Sequence, residues 1–261
     1  MSEPAKTVLI TGAAQGVGLA TATLLAQSSY RVVLLDVQSV DAQVNKLRAA
    51  GAQAEGHSGD VSSEEFVRRV ADHIANQYGA LDALVNNAGI SLIVPAEQTS
   101  ATQWQQVMAV NLFGPFLLCR YLGAQMLERR RGSIINVASV AGLAGVSHRS
   151  AYNASKHGLI GLTRTLAAEW GGRGVRVNAV CPGWIKSEMD SADQGAGAYR
   201  DSDIVDRVPM ARFAATQDVA EAIAFLADSD RSSFINGASL PVDGGWLADA
   251  SWNSLRLGTR G

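Results

Sequence analysis

The stretch TGAAQGVG, from Thr11 to Gly18, lies between the apolar run Thr7–Thr11 and a segment with helical spacing, Val17–Gln27. Glycine allows a tight turn at Gly12, lets the backbone approach a pyrophosphate at Gly16, and lets helix and strand pack closely at Gly18. The N-terminus of the following helix directs its unpaired N–H groups toward the phosphates. The stretch therefore predicts a dinucleotide-binding loop, with cofactor contacts from Gly12, Gln15, Gly16, Val17 and Gly18.

The rest of the chain alternates short apolar runs with longer segments of helical spacing. The runs that we interpret as strands are Arg31–Asp36, Leu81–Val85, Ser133–Val137, Val175–Val180 and Ser239–Val242. The segments that we interpret as helices are Ala42–Ala50, Glu64–Tyr78, Thr102–Arg130, Ala151–Trp170 and Gln217–Asp228. Helices between consecutive strands require crossover connections, which produce a parallel sheet.

This alternation predicts an α/β fold, a single doubly wound Rossmann domain over residues 1–261. We expect a seven-stranded parallel sheet with helices on both faces, although the apolar runs place only six of the strands. Residues 187–212 are rich in Asp, Gly and Ser and break the alternation, so we predict a substrate lid there. Residues 247–261 form a C-terminal tail.

Composition and charge exclude several classes of protein. Apolar residues make up 47% of the 261 residues, and the formal net charge is −2. Without a basic excess, we expect no binding to nucleic acid or to an anionic membrane. The two cysteines, Cys119 and Cys181, are predicted to be buried free thiols, as in a reducing compartment. We find neither a signal-peptide pattern nor a membrane-spanning apolar run, and we predict a cytoplasmic protein without a metal site.

Asp36 ends the second predicted strand, eighteen residues after Gly18. An acidic residue near this spacing reaches the adenosine ribose in dinucleotide-binding folds, where its carboxylate accepts hydrogen bonds from the ribose and repels a 2′-phosphate. Neither the following Val37 nor Gln15 in the glycine loop carries the positive charge that a phosphate needs. The sequence therefore favours NAD over NADP, against the alternative that Asp36 is only a turn residue.

Tyr152 and Lys156 are four residues apart at the start of a predicted helix, and so they share one helix face. A free tyrosine has a pKa of about 10 and is a poor base at neutral pH, but a nearby ammonium favours the phenolate. The pair could therefore supply an acid/base, although such a pair alone is common by chance.

Further motifs accompany this pair along the chain. They are Asn86-Asn87-Ala88-Gly89, Asn111 within VNL, Ser139 thirteen residues before Tyr152, Pro182-Gly183, and Val242-Asp243-Gly244-Gly245. With the glycine loop, which matches the pattern TGxxxGxG, they make the chain resemble the short-chain dehydrogenase/reductase family over nearly its whole length.

The resemblance implies a role for each matching residue. Tyr152 would exchange the proton of the substrate hydroxyl, Ser139 would orient the substrate oxygen, and Lys156 would lower the tyrosine pKa and hold the nicotinamide ribose. Asn111 would hold a water of a proton relay. The remaining cofactor contacts would come from Asp60, Val61, Asn87, Ala88, Gly89, Pro182, Gly183, Ile185 and Ser187. The resemblance also implies a homotetramer or a dimer, with the two long helices and the tail at the interfaces.

Ligands of such sheets bind beyond the carboxyl ends of the strands. Besides Ser139, the residues that we expect to face the substrate are Ser91, Ile93, Val140, Val146, His148, Trp184 and Met189. Most are apolar, which predicts a compact and largely apolar secondary alcohol or ketone, cyclic ones included, rather than an open polyol. His148 could instead be an exposed loop residue, and Trp184 could belong to the core.

Two other functions remain open from the sequence. A 3-oxoacyl-carrier reductase would share the fold, and Arg129, Arg130, Arg131 and Arg173 could dock an acidic carrier protein. Such arginines at a helix end are more often a solvated C-terminus, and Asp36 disfavours the NADP that those reductases mostly use. A non-catalytic NAD-binding regulatory protein would require a broken catalytic set, and all four residues are present here.

Overall fold

The chain forms one seven-stranded sheet, in which every neighbouring pair of strands is parallel. The computed structural model describes residues 5–186, 191, 193 and 199–258. The strands are β1 Thr7–Thr11, β2 Arg31–Asp36, β3 Ala54–Ser58, β4 Ala83–Asn86, β5 Gly132–Val137, β6 Val175–Pro182 and β7 Ser239–Val242. Their spatial order is β3-β2-β1-β4-β5-β6-β7, so the direction of winding reverses between β1 and β4. The predicted seven-stranded, doubly wound Rossmann sheet is confirmed.

Helices cover both faces of this sheet. They are α1 Gly16–Gln27, α2 Asp41–Ala49, α3 Glu64–Tyr78, α4 Ala101–Met108, α5 Gly114–Arg129, α6 Ser150–Trp170, α7 Asp201–Val205, α8 Thr216–Ala227 and α9 Asn253–Gly258. Successive residues of a strand point to opposite faces. Val8 and Ile10 therefore join the core under α1 and α8, whereas Leu9 joins the core under α3 and α5. Because both faces are covered, the central strands are buried along their whole length.

The third strand is the one that the sequence pattern does not place. Its sequence, AEGHS, contains three polar residues and a glycine, and only Ala54 is buried. It lies at the edge of the sheet and pairs with β2 alone. An edge strand of this kind lacks the apolar run by which the other strands are found.

One predicted helix is divided by a π-helical turn. The segment predicted as Thr102–Arg130 consists of α4, the turn Ala109–Phe113, and α5. By length and composition, Ala101–Arg129 is long and apolar enough to cross a membrane, contrary to our expectation from sequence, because it contains an 18-residue window with a mean hydropathy of 1.4. Half of that window is buried within the fold, and the core helix of a soluble protein meets the same criterion. The segment is a core helix of the second face, where Leu118 and Leu122 are fully buried.

The predicted lid and tail are described only in part. Of residues 187–212, the structure describes 191, 193 and 199–212, which include α7, and of the tail it describes residues up to 258. Ser187 and Met189, which we predicted to contact cofactor and substrate, lie outside the described residues.

Candidate active site

A cavity of about 580 Å³ lies at the carboxyl ends of the central strands. Each strand contributes lining residues where it ends: Gly12 follows β1, Asp36 ends β2, Asn87 follows β4, Ser139 follows β5, and Gly183 follows β6. The cavity therefore spans the point where the winding reverses, which is where doubly wound folds bind their ligands.

The glycine loop forms one wall of the cavity through its backbone. Gly12 has a φ of 64°, which favours glycine, and a Cβ on it would lie 2.8 Å from Nδ2 of Asn87. A Cβ on Gly18 would lie 2.1 Å from the carbonyl oxygen of Gly12, so this glycine is required for packing and does not line the cavity. Gly12, Gln15, Gly16 and Val17 do line it.

Asn87 fastens the loop after β4 to the glycine loop. Its Nδ2 donates to the carbonyl oxygens of Thr11, at 2.9 Å, and Gly12, at 3.1 Å. Thr11 Oγ1 in turn accepts from the backbone N–H groups of Asn87 and Ala88. The amide of Asn87 thus holds in place two of the loops that line the cavity.

Two carboxylates lie at the β2 end of the cavity. Asp36 is 8% exposed, and its two carboxylate oxygens accept hydrogen bonds from the backbone N–H groups of Ala14, at 2.9 Å, and Gln38, at 3.0 Å. Asp60 also lines the cavity and accepts from the N–H of Ser62 at 2.8 Å. Among the described lining residues, the only cations are Arg149 and Lys156, both in α6 or directly before it. The β2 end is therefore the anionic end of the cavity.

The opposite end is formed by the segment that follows β6. Trp184 and Lys186 flank Ile185 and hydrogen-bond with the backbone of Ala214, at 2.9 Å and 3.1 Å. This parallel bridge directs the N–H and C=O of Ile185 away from Ala214, and neither group has a partner among the described residues. Both groups belong to a cavity-lining residue and are thus available to a carboxamide.

Tyr152, Lys156 and Ser139 meet in the middle of the cavity. Lys156 lies one helical turn after Tyr152 in α6, with its Nζ 5.6 Å from the centre of the phenol ring and 2.8 Å from the carbonyl oxygen of Val137. The Ser139 side chain lies beside the phenol of Tyr152 and lowers its pKa, and Ser139 Oγ accepts from the N–H of Ala141. The serine, the phenol and the ammonium thus face one space.

Burial has the largest effect on the pKa values of Tyr152 and Lys156 in the ligand-free protein. It raises the pKa of Tyr152 above its ordinary value, against the hydrogen bond from Ser139 and the charge of Arg149, which lower it. Burial also lowers the pKa of Lys156 to about 8. The lowering of the tyrosine pKa by lysine, which we predicted from sequence, therefore stays a prediction for the cofactor-bound enzyme.

Asn111 lies behind these residues, in the π-helical turn between α4 and α5. It is fully buried, its Nδ2 donates to the carbonyl oxygen of Ile90 at 3.0 Å, and its Oδ1 accepts from the N–H of Ile90 at 2.9 Å. A Cβ on Gly89 would lie 3.3 Å from Asn111 Oδ1 and 3.6 Å from Lys156 Nζ. Gly89 thus leaves open the space between the asparagine and the lysine, which is where the expected relay water would lie.

The structure brings together only part of the predicted substrate set. Ser139 and Trp184 line the cavity, and Ser91 contacts a lining residue, Arg149. Ile93, Val146 and His148 do not line it, and Val140 is buried in the core. His148 is an exposed residue with a φ of 60°, which fits the loop alternative that the sequence left open.

Sequence reasoning missed several residues that line the cavity. They are Ile90, Gln106, Val110, Arg149, Asp193 and Tyr199. Arg149 had a signal in the sequence, because it precedes a helix N-terminus, where a cation is unfavourable. Asp193 had none, because it lies 44 residues from its partner Arg149 in a segment without periodic pattern.

Comparison with known proteins agrees with this fold. Residues 12–247 match the family described as Enoyl-(Acyl carrier protein) reductase. The chain is 38% identical to D-threitol dehydrogenase of Mycolicibacterium smegmatis, over 92% of each protein. It is 37% identical to a 3-oxoacyl-acyl-carrier-protein reductase of Thermotoga maritima, over 92% of this chain and 97% of that protein.

A solved structure is similar to the chain as well. A variant of actinorhodin polyketide ketoreductase with NADPH superposes with a TM-score of 0.88 at 32% identity, over 93% of this chain and 97% of that one. Fold, site and relatives together define an oxidoreductase of alcohols or ketones that uses a nicotinamide dinucleotide. The chain belongs to the short-chain dehydrogenase/reductase family.

Proposed function

We propose that this protein transfers a hydride between NAD(H) and a secondary alcohol or ketone, with Tyr152 as the acid/base. The observation that carries the proposal is the meeting of Tyr152, Ser139 and Lys156 in one cavity whose far end holds Asp36. In oxidation, bound NAD supplies the hydride acceptor. Tyr152 takes the hydroxyl proton at its phenolic oxygen, and in reduction it returns that proton to the carbonyl oxygen.

The other three residues prepare Tyr152 for this exchange. Ser139 holds the substrate oxygen beside the phenol, and the ammonium of Lys156 stabilises the phenolate. Lys156 also holds the nicotinamide ribose. Asn111 keeps a water within reach of Lys156, through which the proton passes to solvent.

The remaining contacts hold the cofactor. Gly12, Gln15, Gly16 and Val17 face its pyrophosphate at the N-terminus of α1. Asp60, Val61, Asn87, Ala88 and Gly89 surround the adenosine half, while Pro182, Gly183 and Ile185 surround the nicotinamide. The free N–H and C=O of Ile185 bind the carboxamide.

Charge supports NAD rather than NADP. The adenosine end carries the carboxylates of Asp36 and Asp60, while both cations of the described lining lie at the catalytic end. A 2′-phosphate placed there would meet negative charge without a positive partner. The relative with NADPH shows that the fold accepts a phosphorylated cofactor, so the preference depends on these side chains rather than on the fold.

The substrate that we propose is compact, with a largely apolar frame, cyclic ones included. Ile90, Val110, Ala138 and Ala141 provide apolar walls, and Trp184 is held flat by stacking on Trp246 at 5.7 Å. We expect a panel of secondary alcohols and ketones, followed by NADH absorbance, to include at least one substrate. Absence of NAD-linked turnover across open-chain and cyclic members would contradict the proposed function.

A 3-oxoacyl-carrier reductase is the second candidate, because several relatives have that name. The position of the arginines that could dock an acidic carrier protein argues against this candidate. Arg129 and Arg131 form ion pairs with Asp82, at 3.3 Å and 3.8 Å. They precede the first residue of β5 and therefore lie near the amino ends of the strands, whereas the cavity lies at the carboxyl ends. A carrier docked there would present its substrate far from Tyr152, and measured turnover of NADPH against NADH separates the two candidates.

A further inference from the structure

An ion pair lies beside Tyr152 on the substrate side of the cavity. The guanidinium of Arg149 lies 3.2 Å from Oδ2 of Asp193 and donates to Oγ of Ser91 at 3.0 Å. Ser91 Oγ closes the triangle by donating to the same Asp193 oxygen at 3.2 Å. Arg149 and Asp193 both line the cavity, with only 13% and 17% of their side chains exposed.

Aromatic rings fix the position of this guanidinium. It lies 5.8 Å from the ring of Tyr152 and 6.0 Å from the ring of Trp184, both of which line the cavity. Arg149 also directly precedes the first residue of α6, where the helix dipole disfavours a cation. A largely buried charge at this unfavourable position is retained because Asp193 compensates it, and the pair stays next to the acid/base.

The pair has hydrogen-bonding capacity left for a ligand. A guanidinium has five N–H donors, and contacts to Ser91 and Asp193 engage two of them. A carboxylate has about four acceptor positions, and Ser91 and Arg149 occupy two of those of Asp193. The pair therefore presents donors and acceptors side by side while it carries no net charge.

This combination selects among substrate groups. A hydroxyl can accept from Arg149 and donate to Asp193 at once, whereas a carbonyl or an ether can only accept. A carboxylate or phosphate would gain from Arg149 but would be repelled by Asp193 at nearly the same distance. A purely apolar group would leave the remaining capacity of the pair unused when it displaces water.

We propose that Arg149 and Asp193 form a subsite for a second, uncharged hydroxyl of the substrate, so that the substrate is a diol or a hydroxyketone. The subsite rests on the proposed function, because it places the substrate frame between this pair and Tyr152. It revises the apolar substrate of the sequence prediction: the frame is compact, but one side of it carries a hydroxyl.

Matched substrates test the subsite. The cis and trans cyclohexanediols share their frame with cyclohexanol and differ from it by one hydroxyl. We expect at least one diol to exceed cyclohexanol about tenfold or more in kcat/KM with NAD, because a site built to bind a hydroxyl rejects the analogue without it. The corresponding hydroxycyclohexanecarboxylates test for an anionic substrate. Equal kcat/KM for cyclohexanol and every diol, or a preference for the hydroxy acids, would overturn the subsite.

A double variant tests the residues themselves. In Arg149→Met/Asp193→Leu both charges are removed together, so that neither is left unpaired in the cavity. We expect the ratio of diol to cyclohexanol kcat/KM to fall toward one. Arg173→Met is the matched control, because Arg173 is exposed and precedes β6 at the amino ends of the strands, away from the cavity. This variant should keep the wild-type ratio. An unchanged ratio in the folded double variant would overturn the assignment.

Binding separates failure of the subsite from failure of the proposed function. Titration of the enzyme–NADH complex with diol or cyclohexanol measures affinity without turnover, and we expect the diol to bind about tenfold more tightly. Equal affinity would overturn the subsite even if cyclohexanol is oxidised. Absence of hydride transfer to NAD from any member of the panel would instead overturn the proposed function.

Discussion

Asp36 is the residue on which, in the proposed function, the choice between NAD and NADP depends. Its carboxylate is held by two backbone N–H groups at the rim of the cavity. We expect Asp36→Asn to lower kcat/KM for NAD about tenfold or more and to raise it for NADP, because the charge-assisted bond to the ribose is worth about 1.5–3 kcal/mol. Steady-state kinetics with both cofactors measures the change.

The control for this variant removes the same charge outside the cavity. Asp41→Asn, in the first turn of α2, should leave the cofactor ratio as in the wild type. If the unmodified enzyme uses NADPH as well as NADH, the role of Asp36 is contradicted.

The buried ammonium of Lys156 lowers the free energy of unfolding of the cofactor-free protein at neutral pH. Its pKa is lowered by burial to about 8, against 10.5 ordinarily, so the unfolded chain binds more protons between these values and stability rises as pH increases through them. At neutral pH the buried charge is therefore unfavourable. We expect Lys156→Met to stabilise the cofactor-free protein by about 1–3 kcal/mol at neutral pH. This gain in the free energy of unfolding should shrink as the pH approaches 10.5, the ordinary pKa of lysine.

Denaturant unfolding of the variant and the wild type, at neutral pH and at a pH near 10.5, measures this gain. A variant that is less stable than the wild type at neutral pH, or a gain that does not depend on pH, would count against a buried ammonium. Activity should be lost in either case.

At the residue scale, the sequence predicted what local spacing determines. Tyr152 and Lys156 share a helix face because they are four residues apart, and Asn87 and Ser139 follow recognisable strands. It did not predict the pair of Arg149 and Asp193, because the two residues are 44 positions apart and no sequence pattern links them. Ile93, Val146 and His148 were placed by proximity in sequence, which does not determine where a loop side chain points.

At the scale of elements, β3 carries a cluster that joins the sheet edge to α3. His57, His73 and Tyr78 all contact the carboxylate of Glu55, at distances from 2.7 to 3.4 Å. Potential ligand atoms of Glu55, His57 and His73 lie within 4.8 Å of one another, the arrangement in which a metal ion could be held. The cluster lies outside the active-site cavity.

This cluster should make stability depend on acid. Burial alone would raise the pKa of Glu55, but hydrogen bonds from His57, Tyr78 and His73 outweigh it and lower the pKa to about 2, from 4.5. The stabilisation is present above the ordinary pKa and is lost as pH falls toward the lowered one. We expect Glu55→Gln to cost at most about 3 kcal/mol near neutral pH and progressively less in acid.

Unfolding across the acid range checks this expectation. Glu65→Gln is the matched control, since Glu65 forms an exposed ion pair with Arg69 that should contribute little. Equal losses in the two variants, or a loss that persists below the lowered pKa, would contradict the assignment.

Elements were predicted well where an apolar run or an apolar helix face marks them in the sequence. β1, β2, α3 and β7 have the predicted bounds. The edge strand β3 was missed because partial exposure removes its apolar run, and the π-helical turn was missed because its residues keep helical spacing.

For the whole molecule, exposed aromatic residues support the proposed homotetramer or dimer. Phe113 and Phe116 stack at 6.1 Å on the surface of the long helical segment, 45% and 41% exposed. Trp252 and Leu255 in the tail are exposed as well. We expect the protein to be oligomeric at micromolar concentration, and Phe113→Ser/Phe116→Ser to shift it toward smaller species, because burial of these rings contributes to association.

Light scattering measures the molecular mass of the wild-type protein and of the double variant in solution. A monomeric wild-type protein would contradict the proposed assembly, and an unchanged mass in the double variant would move the interface elsewhere, such as to the tail.

The central claim concerns one phenol, and the most direct test removes only its oxygen. Tyr152→Phe should bind NADH as the wild type does and lose at least about a hundredfold in turnover. Tyr121→Phe deletes the same atom from a partly buried tyrosine of α5 that lies outside the cavity and donates to Glu64, and it should retain full activity. Turnover of Tyr152→Phe at the wild-type rate, with NADH bound, would contradict the account.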